Sequence, residues 1–200
     1  MSTGAIVAIV VVVLVLLVLL ALLLRMQTRR RHLQDRFGPE YDRTVQEREN
    51  RIEAEKELAG REKRYSQLDI RPLAPDVRNT YAQDWRRVQE QFVDTPNSAV
   101  AEADRLVTAL MKDRGYPTEG YEQQLADLSV AHARSLEHYR LAHEINVRTD
   151  RDASTEDLRN AMVHYRALFE DLLSNGSDPG RRADRRDPER GEQRDQQRRF

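Results

Sequence analysis

An all-α, membrane-anchored architecture is what this sequence predicts, and three observations carry the prediction. Residues 5–24 read AIVAIVVVVLVLLVLLALLL, without a charged side chain. Beyond residue 40 the apolar residues recur three and four apart, and no useful run alternates with period two. The gaps between those stretches hold helix punctuation, with Pro at starts, Gly at ends and Ser or Thr before the first turn. The expected order is an N-terminal transmembrane helix, a charged spacer helix, an antiparallel four-helix bundle and a disordered C-terminal tail.

The apolar run comes first. At about 1.5 Å per residue it reaches about 30 Å, the thickness of a bilayer's hydrocarbon core. A cleaved signal would carry a basic start, a shorter apolar stretch and small residues before the cut. Residues 1–4 hold no Lys or Arg, and the run ends Leu22-Leu23-Leu24-Arg25 with no such site. An uncleaved span is the expectation. Arg25, Arg29, Arg30, Arg31 and Arg36 follow it directly, so the positive-inside rule puts residues 1–4 outside and the C-terminal bulk in the cytoplasm. An extracytoplasmic domain is the alternative. The same arginines can attract anionic headgroups, at ~1 kcal/mol each near the surface. Gly4 and Ala8 are a small-residue pair at the edge of the span, a weak dimerisation signal.

Composition removes several function classes. Charged residues make up 34% of the chain yet nearly cancel, at net −1, so no basic footprint argues for nucleic acid. There is no cysteine, which excludes disulfides, zinc–thiolate sites and cysteine nucleophiles.

After the basic juxtamembrane segment (25–38), Gly38-Pro39 breaks the helix leaving the membrane, and Pro39 suits the first position of the next. Residues 39–68 read as one solvated spacer helix. Its thin apolar seam is Tyr41, Val45, Ile52 and Ala59, its i,i+4 pairs are Glu47/Arg51 and Glu57/Arg61, and Gly60 frays its end. Weak self-association as a coiled coil is the sharper alternative. Two prolines make residues 69–75 a linker.

The domain at 76–175 follows. Val77, Tyr81, Trp85, Val88 and Phe92 form one stripe. Thr95-Pro96 starts a second helix with Val100, Ala103, Leu106, Val107, Leu110 and Met111 on one face, closed by Gly115. Thr118 caps a third, continuous to about Val147, with Tyr121, Leu125, Leu128, His132, Leu136, Tyr139 and His143 inward. A capping box at Ser154 to Asp157 opens the fourth, striped by Leu158, Met162, Tyr165, Phe169 and Leu172 and ended by Asn175-Gly176. Residues 176–200 are rich in Arg, Asp and Glu and nearly free of apolar side chains, so they are expected to stay disordered.

No reactive constellation emerges. His132 and His143 share a face but stand about 16 Å apart along an axis, too far for one metal. His138 points about 120° away. No Glu has a His three residues on, His143-Glu144 meets Val147 where a zinc-protease motif needs His, and no nucleophile elbow or phosphate loop occurs. No catalytic residue, cofactor or metal is assigned, and His132 and His143 are expected to hydrogen-bond across the bundle.

What remains is dense in punctuation. Phe92-Val93-Asp94-Thr95-Pro96, Ala103-Asp104-Arg105-Leu106-Val107 and Arg114-Gly115-Tyr116-Pro117 resemble an actinobacterial family of single-pass membrane proteins. So do Arg36-Phe37-Gly38-Pro39-Glu40-Tyr41-Asp42 and Thr155-Glu156-Asp157-Leu158-Arg159. The resemblance spans roughly residues 33–173. It implies one N-terminal span, a charged helix and a helical domain, and it implies no activity. The expected function is an adaptor, scaffold or regulatory binding module with a protein partner, using Tyr65, Tyr116 and Tyr121 as exposed aromatic surface. The alternative is a sensor holding a small molecule or lipid in the bundle against Trp85, Tyr139 and His143.

Overall fold

The computed structural model describes residues 3–148 and 153–174, and of residues 3 and 5–11 the backbone only. All regular structure among them is helical. The termini at 1–2 and 175–200, and with them the expected tail and Asn175-Gly176 stop, lie outside the described residues. The chain divides into two compact units, Met1–Gln67 and Leu68–Phe200.

In the first unit, α1 (Thr3–Phe37) runs unbroken through the apolar stretch into the basic segment. It is long and apolar enough to cross a membrane, and none of the apolar window is buried. Leu23, for instance, is 63% exposed. A helix serving as a protein core would be covered. At Gly38 the chain adopts φ +50°, the left-handed region glycine favours, and Pro39 opens α2 (Pro39–Glu47) as expected.

The spacer differs from its sequence reading. Instead of one rod there are two helices, α2 and α3 (Arg51–Tyr65), packed on each other and on the end of α1. Asn50 is the reason for the break: its backbone is extended and its side chain accepts from the Glu53 N–H, an N-cap for α3. The break resets the helical phase, so Ile52 is 73% exposed while Leu33, Phe37, Tyr41, Ala54 and Leu58 form the core. Glu47 pairs with Arg43 rather than Arg51. Glu57 does pair with Arg61, at 2.6 Å, and α3 passes through Gly60 without fraying.

In the second unit the linker leads into α4 (Pro75–Asp94), and α5 (Pro96–Asp113) follows after the single residue Thr95. Their buried residues fall on the expected stripes, Tyr81, Trp85 and Val88 on α4 and Val100, Ala103, Val107, Leu110 and Met111 on α5, while Val77, Phe92 and Leu106 are only half-buried. Gly115, at φ +92°, closes α5 in a Schellman arrangement: its N–H reaches the Lys112 carbonyl and the Tyr116 N–H reaches Met111. The linker's Asp69 carbonyl lies so close to Gly115 that a Cβ there would stand 2.1 Å from it.

The third helix is not continuous. It splits into α6 (Tyr121–Ala131) and α7 (Ala133–Arg148), with His132 at φ −125°, ψ 31° between them. Gly120 rather than Thr118 caps α6, and the Thr118 carbonyl instead accepts from Gln124. The fourth, α8 (Thr155–Leu173), carries the full capping box at Ser154 and Asp157 and buries every residue of its expected stripe. The bundle is antiparallel, α4 against α5 and α7 against α8, with α5 and α8 joining the two pairs.

Candidate functional site

The polar side chains of the bundle collect in three places. The most buried begins where α5 ends. The Schellman turn directs Tyr116 inward, where it is 3% exposed, and its hydroxyl lies 3.0 Å from His132 Nε2. The other ring nitrogen, Nδ1, lies 2.8 Å from Asp171 on α8, and the Ser135 hydroxyl donates to the same carboxylate oxygen at 2.6 Å. With Tyr116 donating to Nε2, the imidazole carries its proton on Nδ1 and donates it to Asp171. Arg114 caps α8 from the other side, donating to the Leu172 carbonyl at 2.5 Å.

Burial pushes the Asp171 carboxyl up, but the His132 bond and charge, Ser135 and Arg114 outweigh it and hold it below the usual carboxylate range. The connectivity carboxylate–imidazole–hydroxyl resembles that of hydrolytic triads. Here the hydroxyl is enclosed and the imidazole side chain is 1% exposed, so no substrate atom reaches either. What the arrangement does is fasten three elements: the turn after α5, the α6–α7 junction and the end of α8.

A second cluster centres on Asp104 of α5. It accepts from the Tyr165 hydroxyl at 2.8 Å and stands 3.7 Å from His143 Nδ1. Tyr139 donates to Gln124 at 2.8 Å and packs edge-on against Tyr165. Tyr121 stacks on His143, with ring centroids 4.0 Å apart. Burial first, and then the Asp104 charge, push both the Tyr139 and Tyr165 hydroxyls well above their ordinary value.

The third place lies on the outer seam of α7 and α8. His138 and His164 bring their Nδ1 atoms to 2.9 Å, with ring centroids 5.1 Å apart and planes inclined by 30°. His164 is half-buried, and burial followed by the neighbouring imidazole lowers its pKa.

Among the residues singled out from sequence, Tyr116 is corrected: it is not exposed surface, because the turn that Gly115 makes folds it under His132. Tyr121 and Tyr65 are half-buried. Tyr139 and His143 do come together, joined by Tyr121. Trp85 instead stacks flat on Phe169 at 4.6 Å, one helical turn along α8 from Tyr165. An open groove of about 300 Å³ lies elsewhere, between α4 and α5, over Val88 and Leu106 and rimmed by Asp84, Arg87 and Glu102. In the first unit Arg25 and Arg29 are exposed, while Arg30 lies against Tyr41 and Arg36 is half-buried.

Sequence reasoning passed over Asp171, Ser135, Arg114 and His164. Asp171 stands between the exposed Glu170 and the last stripe residue, Leu172, and nothing local marks it, so only the fold reveals its partner. Among the described residues no three His, Asp or Glu side chains group as a metal cluster would. No family model, curated protein or solved structure matches the chain.

Proposed function

We propose that this chain is a membrane-anchored helical adaptor or scaffold that works by binding a protein partner. The observation that carries it is α1, whose apolar residues 12–24 are all exposed and which continues without a break into a folded helical unit. The bundle's most enclosed polar cluster supports the same reading, since Tyr116, His132, Ser135 and Asp171 are engaged with each other. The five arginines after the span support, by the positive-inside rule, an orientation with the folded units on the cytoplasmic side. The half-buried rings of Tyr65 and Tyr121 remain the aromatic candidates for the contact surface. The alternative of a ligand inside the bundle needs room at Trp85 and Tyr139, where Phe169 and Tyr165 already pack.

Alkaline carbonate extraction of native membranes tests the anchor; release of the protein into the supernatant defeats it. A proximity-labelling enzyme fused to the C-terminus, with protease added to intact cells, tests the rest. A protected tail and a small labelled set that changes in Tyr65→Ala or Tyr121→Ala is expected. Removal of the tail by protease outside the cell reverses the orientation, and a labelled set untouched by both substitutions removes the tyrosines.

A further inference from the structure

The His138–His164 pair performs no task in the bundle that its neighbours do not already perform. Immediately beside each imidazole in sequence stands a fully buried ring, Tyr139 and Tyr165, and those two rings pack edge to face. The backbone under both histidines is therefore fixed, while the imidazoles themselves lie toward solvent. One turn along α7 and two turns along α8, Ser135 and Asp171 tie the same two helices together. The pair is thus prepositioned by packing, at the surface, with two Nδ1 atoms directed at each other.

Two neutral imidazoles at 2.9 Å share one proton: one Nδ1 donates and the other accepts. Each also has a second tautomer, with the proton on Nε2, which leaves both Nδ1 lone pairs facing the gap. The rings meet nearly head-on, with centroids 5.1 Å apart across the 2.9 Å gap, so an ion about 2.05 Å from each nitrogen, the usual metal–imidazole length, is held once both rings turn toward it. Among divalent ions copper(II) binds such nitrogen donors more tightly than nickel(II) or zinc(II).

We propose that His138 and His164 form a surface binding site for a divalent transition metal, copper(II) above nickel(II) and zinc(II), with water completing the coordination. This site is independent of the adaptor reading. It converts a hydrogen bond between α7 and α8 into a metal bridge, and so ties the bundle's most closely packed helix pair more tightly.

The test uses the full chain in detergent, titrated with copper(II) chloride and followed by electron paramagnetic resonance and by the melting temperature. The chain has five histidines, so the controls are complete with His32, His132 and His143. The expected result is one equivalent of copper with two-nitrogen hyperfine structure, a raised melting temperature, and zinc bound about tenfold more weakly. His138→Ala and His164→Ala each weaken copper by about tenfold or more, ~1.4 kcal/mol. Both variants keep the helical circular dichroism, and the metal-free melting temperature changes little, since His138 is exposed and His164 only half-buried. His32→Ala and His143→Ala bind as the parent does. Copper binding that survives the double variant His138→Ala/His164→Ala, that disappears with His32 or His143 instead, or that shows no saturation at one equivalent overturns the site. Zinc binding as tight as copper overturns the preference for copper(II).

Discussion

The two units hold themselves together by different means. The second, from Leu68, closes over long stripes: α4, α5 and α8 each bury three or more large side chains at regular helical spacing. The first closes over Leu33, Phe37, Tyr41, Ala54 and Leu58, with Glu40 and Thr44 buried among them. Its remaining cohesion is ionic. Arg61, 14% exposed, donates to Glu40 at 3.2 Å and to Glu57 at 2.6 Å, and Arg48 reaches Glu57 at 2.5 Å. Burial raises the Glu57 pKa, yet the two arginines bring it below the usual value. A few apolar residues suffice when short helices fold back on one another and their charges pair inside the fold. The same composition stretched as a rod would expose all of them.

That contrast can be broken at defined places. The largest effect is expected in the second unit at Gly115, where a methyl group meets the Asp69 carbonyl at 2.1 Å and the backbone is left-handed. Gly115→Ala should cost about 3 kcal/mol or more, read as a lowered urea midpoint. In the first unit Phe37→Ala should cost about 3 kcal/mol and melt α2 and α3 while the tyrosine packing of the bundle persists. Near-ultraviolet dichroism at Trp85 against amide exchange in α3 separates the two. If both units unfold together, the division is wrong.

His132→Ala should cost about 2 kcal/mol, because it leaves the Tyr116 hydroxyl and the Asp171 carboxylate without their shared partner. It also changes the acid limb of stability. Asp171 has a lowered pKa in the fold, so its contribution is whole above the ordinary carboxylate value of 3.8 and is lost as pH falls through the lower folded value. The variant should show a shallower loss below that pH than the parent. An unchanged slope places the acid sensitivity elsewhere. The smallest effect sharpens the comparison most: Ile52→Glu should change stability by about 0.5 kcal/mol or less, since its side chain stands in solvent. A large loss would restore it to a seam.

How much was legible follows the same divide. The stripes of α4, α5 and α8 were readable because packing in a bundle preserves the 3.6-residue period over many turns. So were Pro39, Thr95-Pro96, Gly115 and the capping box at Ser154, which act within one turn. The break at Asn50 was also written locally, as Asn50 followed three residues later by Glu53, but the charge density around it masked the signal. The break at His132 was not written locally at all. Its neighbours Ala131 and Ala133 favour helix, and the distortion coincides with bonds to Tyr116 and Asp171, one sixteen residues away and the other thirty-nine. Likewise nothing in sequence pairs His138 with His164 until α7 and α8 are set side by side.

The unbroken course of α1 from Thr3 to Phe37 carries a mechanical consequence. A helix of 35 residues is a rod about 52 Å long, stiff against twist and bending along its hydrogen bonds. Its far end is not a hinge, because Leu33 and Phe37 are keyed into the unit formed with α2 and α3. A rotation or tilt of the apolar half therefore arrives at that unit as displacement rather than being lost in a slack joint. With the apolar half in a bilayer, as proposed, the thickness, tension or crowding of that bilayer would act on such a rod as a hand acts on a lever.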